Sequence, residues 1–126
     1  MRTNAGRDHQ AMVTADHSSD GTGSYASACY IGVTANSATP AAGDTTLAGE
    51  ISSGTLVRAK GVFAHTSGTN LFTLTKTFTS DQTVTINKIG IFTAPSGGVL
   101  AYEALLDAPV TLRSGDQVQI THAVTI

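Results

Sequence analysis

From Ala26 to the C-terminus, apolar residues return at nearly every second position. A chain with that period can bury its hydrophobic side chains only by laying extended strands against another layer. Cys29, Ile31 and Val33 alternate with Tyr30 and Gly32. Val57, Ala59, Gly61 and Phe63 alternate with Arg58 and Lys60, which assigns the first set to the inside and the two cations to solvent. Phe72, Leu74 and Phe78 alternate with Thr73, Thr75 and Thr77. Lys76 falls on the apolar face of that run, where a buried ammonium is costly, so the expectation is that this end of the strand reaches a rim, the alternative being a face covered only in part, by a neighbouring subunit. The last run is the most regular: Val118, Ile120, Val124 and Ile126 share one face, and Gln117, Gln119, Thr121 and Thr125 the other.

One run changes phase. Val84 and Ile86 share a face, but Ile89 and Ile91 lie an odd step further on. An extra residue near Asn87-Lys88 returns all four to the core, so the pattern predicts a β-bulge there. Turn residues separate the runs: Thr66-Ser67-Gly68-Thr69, Ser80-Asp81-Gln82, Ala94-Pro95-Ser96-Gly97-Gly98, and Arg113-Ser114-Gly115-Asp116 before the last strand. Asp107-Ala108-Pro109 reads as a strand break. The expectation is an all-β fold: an antiparallel, jelly-roll-like β-sandwich of about seven to eight strands over residues 26–126. The long connection Thr34 to Thr55, with Pro40, Gly43 and Gly49, suits a Greek-key or jelly-roll crossover better than a meander.

Residues 1–25 are different. They are polar and end in the linker-like Ser18-Ser19-Asp20-Gly21-Thr22-Gly23-Ser24. Arg7 to Ala15 can form a short helix with Ala11, Met12 and Ala15 on one side. A helix of that length is marginal alone, so this N-terminal arm orders only when it packs against something.

Composition narrows function by exclusion. Charged residues are 13% of the 126, against about 25% in an average globular protein. A net charge of −2, with Arg58 and Lys60 the only close basic pair in the β-rich body, leaves no surface to track a phosphate backbone, so no nucleic-acid partner is expected. No run approaches the ~18 apolar residues of a membrane span, and the first residues lack the apolar core of a signal peptide. A single cysteine, Cys29, allows no intrachain disulfide, and its phase with Ile31 and Val33 makes it a core residue rather than a nucleophile. His9, Asp16 and His17 lack the spacing of a helical zinc site. His65 precedes a turn; His122 lies on the apolar face of the last strand and reads as a core or rim histidine. Asp44, Glu50, Asp81, Glu103, Asp107 and Asp116 are dispersed, and Asp44, Asp107 and Asp116 sit where Asp bonds local amides. No catalytic, cofactor or metal site emerges, and the chain is expected not to be an enzyme.

Particular strings add a resemblance. Tyr30-Ile31-Gly32-Val33-Thr34, Thr39 to Leu47 (TPAAGDTTL), Gly49-Glu50-Ile51, Ile86 to Thr93 (INKIGIFT), Ser96 to Leu100 (SGGVL) and Gly115-Asp116 resemble small virion proteins of tailed bacteriophages, among them capsid decoration (cement) proteins. The resemblance implies a structural protein on the outer capsid surface, bound to the major capsid protein and self-associated as a homotrimer. The alternative it leaves open is a tail, baseplate or head-fibre component that attaches to the host surface. Under the decoration reading, Arg2, Asn4, Arg7, Asp8, His9 and Met12 of the arm contact the shell.

Overall fold

The computed structural model describes residues 1–15 and 28–125; the side chains of His9 and of residues 11–15 lie outside that description. Among the described residues, one helix, α1 (Asn4–Ala15), precedes seven strands: β1 (Tyr30–Thr34), β2 (Ala59–Lys60), β3 (Val62–His65), β4 (Leu71–Thr79), β5 (Val84–Phe92), β6 (Leu100–Leu112) and β7 (Gln117–Thr125). They form two antiparallel sheets, one ordered β2-β1-β5-β6 and the other β3-β4-β7. The sheets pack face to face as a sandwich. Ile31, Val33, Ile86, Ile89, Ile91 and Leu112 of the first meet Leu74, Phe78 and Ile120 of the second, with Leu56 from the β1–β2 connection completing the core. Each of these side chains stabilises the fold by about 1.5–3 kcal/mol on burial.

The phase change in β5 is real. Register jumps between Ile86, opposite Val110, and Lys88, opposite Leu105. Asn87 thus has no partner across the pair, and Leu106 to Pro109 loop out of β6 opposite it. Ile86, Ile89 and Ile91 all stay buried as a result. The same irregularity explains why Asp107-Ala108-Pro109 does not end its strand. Proline lacks the N–H that a ladder position needs, and the bulge places it where none is required. β6 runs on through it to Leu112.

Two other expectations change. The long connection after β1 does not cross between sheets, since β2 returns beside β1 in the same sheet, pairing Tyr30 with Lys60. Its first part folds back over the outer face of that sheet, and its last part turns inward to bring Leu56 into the core. Gly32 and Gly90 face each other there, leaving a hollow in the sheet surface. A methyl on Gly32 would fall inside the envelope of the Glu50 carboxylate, and one on Gly90 would lie 3.2 Å from Leu47. Leu47 is buried against Phe92 and Leu100. Crossing occurs instead at Gly61, which is why the alternation from Val57 to Phe63 misleads: β2 and β3 belong to different sheets, and Phe63 is 63% exposed. Arg58, expected in solvent, lies over the Phe92 ring 3.4 Å from its centroid and grips both Glu50 carboxylate oxygens at 2.7 and 2.8 Å. It also donates to the carbonyls of Ala94 and Gly97, tying the connection to the β5–β6 turn.

The turns after β4 and β6 are the other two inter-sheet corners, and they are stitched together. Ser80 donates its N–H to Asp116 and accepts from Gly115, both at 2.7 Å. Gly115 sits at φ 93°, where a side chain is strained. The Asp116 carboxylate closes its own turn by accepting from the Arg113 N–H at 2.8 Å.

The N-terminal segment packs on the body. Arg2 bridges to Tyr102, the Thr3 N–H donates to Ala101, and the Glu103 N–H donates to Met1, so residues 1–3 extend the first sheet beyond β6. Thr3 then caps α1: its hydroxyl accepts from the Gly6 N–H at 2.9 Å, and its carbonyl accepts from Arg7. Gly6 presses on the Ala101 backbone so closely that a Cβ would overlap the carbonyl oxygen. Because that oxygen belongs to a rigid strand, Gly6→Ala should lift α1 off β6. Hydrogen exchange is expected to quicken at Thr3 to Arg7 while the amides of β4, β5 and β7 keep their wild-type protection.

Candidate functional site

The residues expected to contact a shell sit on the docked segment. Arg2, Asn4, Arg7 and Asp8 are exposed, and the Arg2 guanidinium donates to the Gln10 side-chain carbonyl. His9 and Met12 lie within α1, with side chains outside the described residues, as do Asp16 and His17 altogether. The proximity of residues 1–3 to β6 was not legible in their polar composition; Thr3 three residues before Gly6 was the one local signal of a helix start there.

Chemically interesting groups converge at a place that the alternation hides. Lys88 and Glu103 lie on the outer face of the first sheet, beneath the β1–β2 connection, with side chains 2% and 1% exposed. Their charged ends are 3.7 Å apart, and the Lys88 ammonium also donates to the Ala38 carbonyl at 3.2 Å. Neither Glu103 oxygen has a hydrogen-bond partner of normal geometry. Burial pushes the Glu103 carboxyl above its usual range, with the neighbouring Asp44 adding to the rise and Lys88 opposing it. Asp44 is held below its usual range by its interaction with Glu103, then by the Ala41 N–H, and more weakly by Lys88. Lys88 and Glu103 are sealed beneath the connection, while Asp44, on the connection itself, stays half-exposed.

Cys29 and His122 do not come together. Cys29 is half-buried on the wall of an apolar hollow of about 580 Å³ between the sheets, shared with Phe63, Phe72, Leu74 and Tyr102. His122 packs its ring against Tyr102, centroids 5.2 Å apart, and its Nε2 is buried without a partner. Loss of solvation for the charged imidazolium lowers its pKa to about 4, with the N-terminal ammonium a smaller contribution. His122 is therefore a neutral packing residue at neutral pH. His65 is exposed and bonds the Leu71 carbonyl through Nδ1 at 2.8 Å. Lys76 is half-buried within β4, opposite Ile120 of β7, rather than at the strand's end; the fully buried lysine is Lys88. Among the described residues no three His, Cys, Asp or Glu side chains are grouped so as to hold a metal ion, and no helix is long and apolar enough to cross a membrane.

What remains is surface, and the second sheet supplies its most regular part. The outer face carries Thr73, Thr75, Thr77 and Thr79 of β4 beside Ala123, Thr121, Gln119 and Gln117 of β7. Thr75 and Thr121 hydroxyls are 3.5 Å apart, and the Gln117 amide donates to Thr79 at 3.3 Å. Along β4 and β7 this face carries no charged side chain, and Val62 and Ala64 of β3 continue it. Residues 9–125 match the family model described as Podophage GP4 fiber I protein gp80. No curated protein matches the chain.

Two outcomes follow from the buried groups. Lys88→Met leaves Glu103 buried without its counter-ion, so it should cost about 3–5 kcal/mol at pH 7, read from urea unfolding. The loss should shrink as the pH is lowered, because burial raises the Glu103 pKa above its usual range, so the carboxyl takes up a proton earlier than a free one and the uncompensated charge disappears. His122 works in the opposite direction. Its folded pKa lies below the unfolded value, so its contribution is complete above about pH 6.5 and is lost as pH falls toward 4. His122→Leu should accordingly flatten the fall in urea midpoint between pH 6.5 and pH 4.

Proposed function

The chain belongs to the podophage GP4 fiber I protein gp80 family, and from that membership we propose that it is a non-enzymatic building block of the fibre apparatus on the virion exterior. It is a phage structural virion protein. The observation that carries the fibre reading is the extent of the match: residues 9–125 take in all seven strands and most of α1, so the likeness belongs to the sandwich itself. The surface agrees with such a role. Its uncharged Thr/Gln face and the unpaired side of β7 suit assembly, and Glu103 lies buried under a loop. Fibres that project from a particle meet the host first, so host-surface attachment is the task this reading assigns.

A second reading has one observation of its own. Arg2, Asn4, Arg7 and Asp8 present both signs of charge along one exposed segment, as a contact with the major capsid protein would use, and this supports capsid decoration. Gold-labelled antibody against the chain, imaged on intact particles, separates the two. The fibre reading expects a few labelled positions clustered on projections. Hundreds of copies spread evenly over the head would establish decoration instead. Release of sugar fragments from host envelope polysaccharide by the purified chain would overturn the non-enzymatic assignment.

A further inference from the structure

Four strand edges bound the two sheets, and three of them are guarded. β2 is two residues long and ends in Lys60. β6 is covered at one end by residues 1–3 and disrupted at the other by the bulge carrying Asp107 and Pro109. β3 is four residues long. β7 is nine residues long, reads QVQITHAVT, and contains no charge, proline or glycine. Among the described residues its backbone pairs on one side only, with β4. A long uncharged edge is the arrangement that monomeric proteins avoid, because its free N–H and C=O groups template the addition of another strand.

We propose that β7 is a self-association edge, and that its occupant is the β7 of a second copy of this chain, antiparallel across a two-fold axis at Thr121. Two requirements restrict the register to pairs of like parity, and only centring on Thr121 among those uses the whole strand. Hydrogen bonding demands that facing residues both turn their backbone groups toward the partner, or both away, so only positions of the same parity can face each other. Core packing demands that inward residues face inward ones. Centring the pair on Thr121 meets both and uses all nine residues. Val118 then faces Val124 of the second copy, Ile120 faces His122, Gln117 faces Thr125, Gln119 faces Ala123, and Thr121 faces itself. A symmetric contact must be self-complementary in this sense. β7 itself carries no charged side chain, so the strand has none that would repel an identical one. The product is a continuous six-stranded sheet, β3-β4-β7 joined to its copy, whose outer face extends the Thr/Gln surface without a break. Nine facing pairs supply about eight to ten new inter-strand hydrogen bonds.

The inference stands on the geometry of the second sheet and not on where the protein sits in the particle, so it is tested on the isolated full chain. Light scattering after size exclusion, from micromolar to hundreds of micromolar chain, should show twice the monomer mass at the upper end. Thr121 is exposed on the outer face, so charge there leaves the core intact, and circular dichroism of each variant should match the wild type. Thr121→Lys places two ammoniums opposite each other only in this register and should weaken the dimer by about fivefold or more; Thr121→Glu should do the same. An equimolar mixture of the two variants should recover the wild-type dimer. Phe63→Lys on the β3 edge should leave it unchanged. A chain that stays monomeric throughout, a trimer insensitive to position 121, or a mixture that fails to recover the dimer would overturn the proposal.

Discussion

The fold depends on a single misalignment. β5 lies between β1 and β6 and contributes Ile86, Ile89 and Ile91 to the inner core. Uniform alternation would send either the first of these or the other two to the wrong face. The irregularity at Asn87 keeps all three inside, and it turns Lys88 outward onto the opposite face of the sheet. The compensating loop in β6 takes up Pro109. One local break thus sets the inner core, the placement of a lysine and the shape of the neighbouring strand.

The outer face of the first sheet is a second, smaller interior. Facing glycines at 32 and 90 make room for the β1–β2 connection, and Leu47, Phe92 and Leu100 pack under it. Its polar half is held by two ion pairs of different character. Arg58–Glu50 is bidentate, partly wet and stacked on Phe92, so its hydrogen bonds are well formed. Lys88–Glu103 is nearly dry and its carboxylate lacks close donors, so it adds little net stability while making the loss of either partner expensive. The connection is therefore a fixed layer of the structure.

Much of this was legible in the residues. Period-two alternation located β1, β4, β5 and β7, because those strands each turn one side to the core, and the odd step from Ile86 to Ile89 marked the bulge. Asp44 and Asp116 close local turns as their contexts suggest. What stayed hidden depends on contacts distant in sequence. Lys88 occupies an outward position by alternation, and only the loop folded over it makes it buried. Arg58 reads as a solvent residue until Glu50 and Phe92 are placed beside it. Phe63 reads as core because alternation cannot show that the chain changes sheets at Gly61. The edge position of β7 is set by strand order, which no local pattern encodes.

The proposed β7 edge makes the second sheet the working surface of this virion protein and leaves the layer over the first sheet as internal structure. Hydrogen exchange compared between the dilute isolated chain and the chain within intact particles tests it directly. The account predicts that amides of β7 gain protection in the particle, while those of the β1–β2 connection over Lys88 and Glu103 exchange alike in both. Protection gained in that connection, with β7 unchanged, would contradict it.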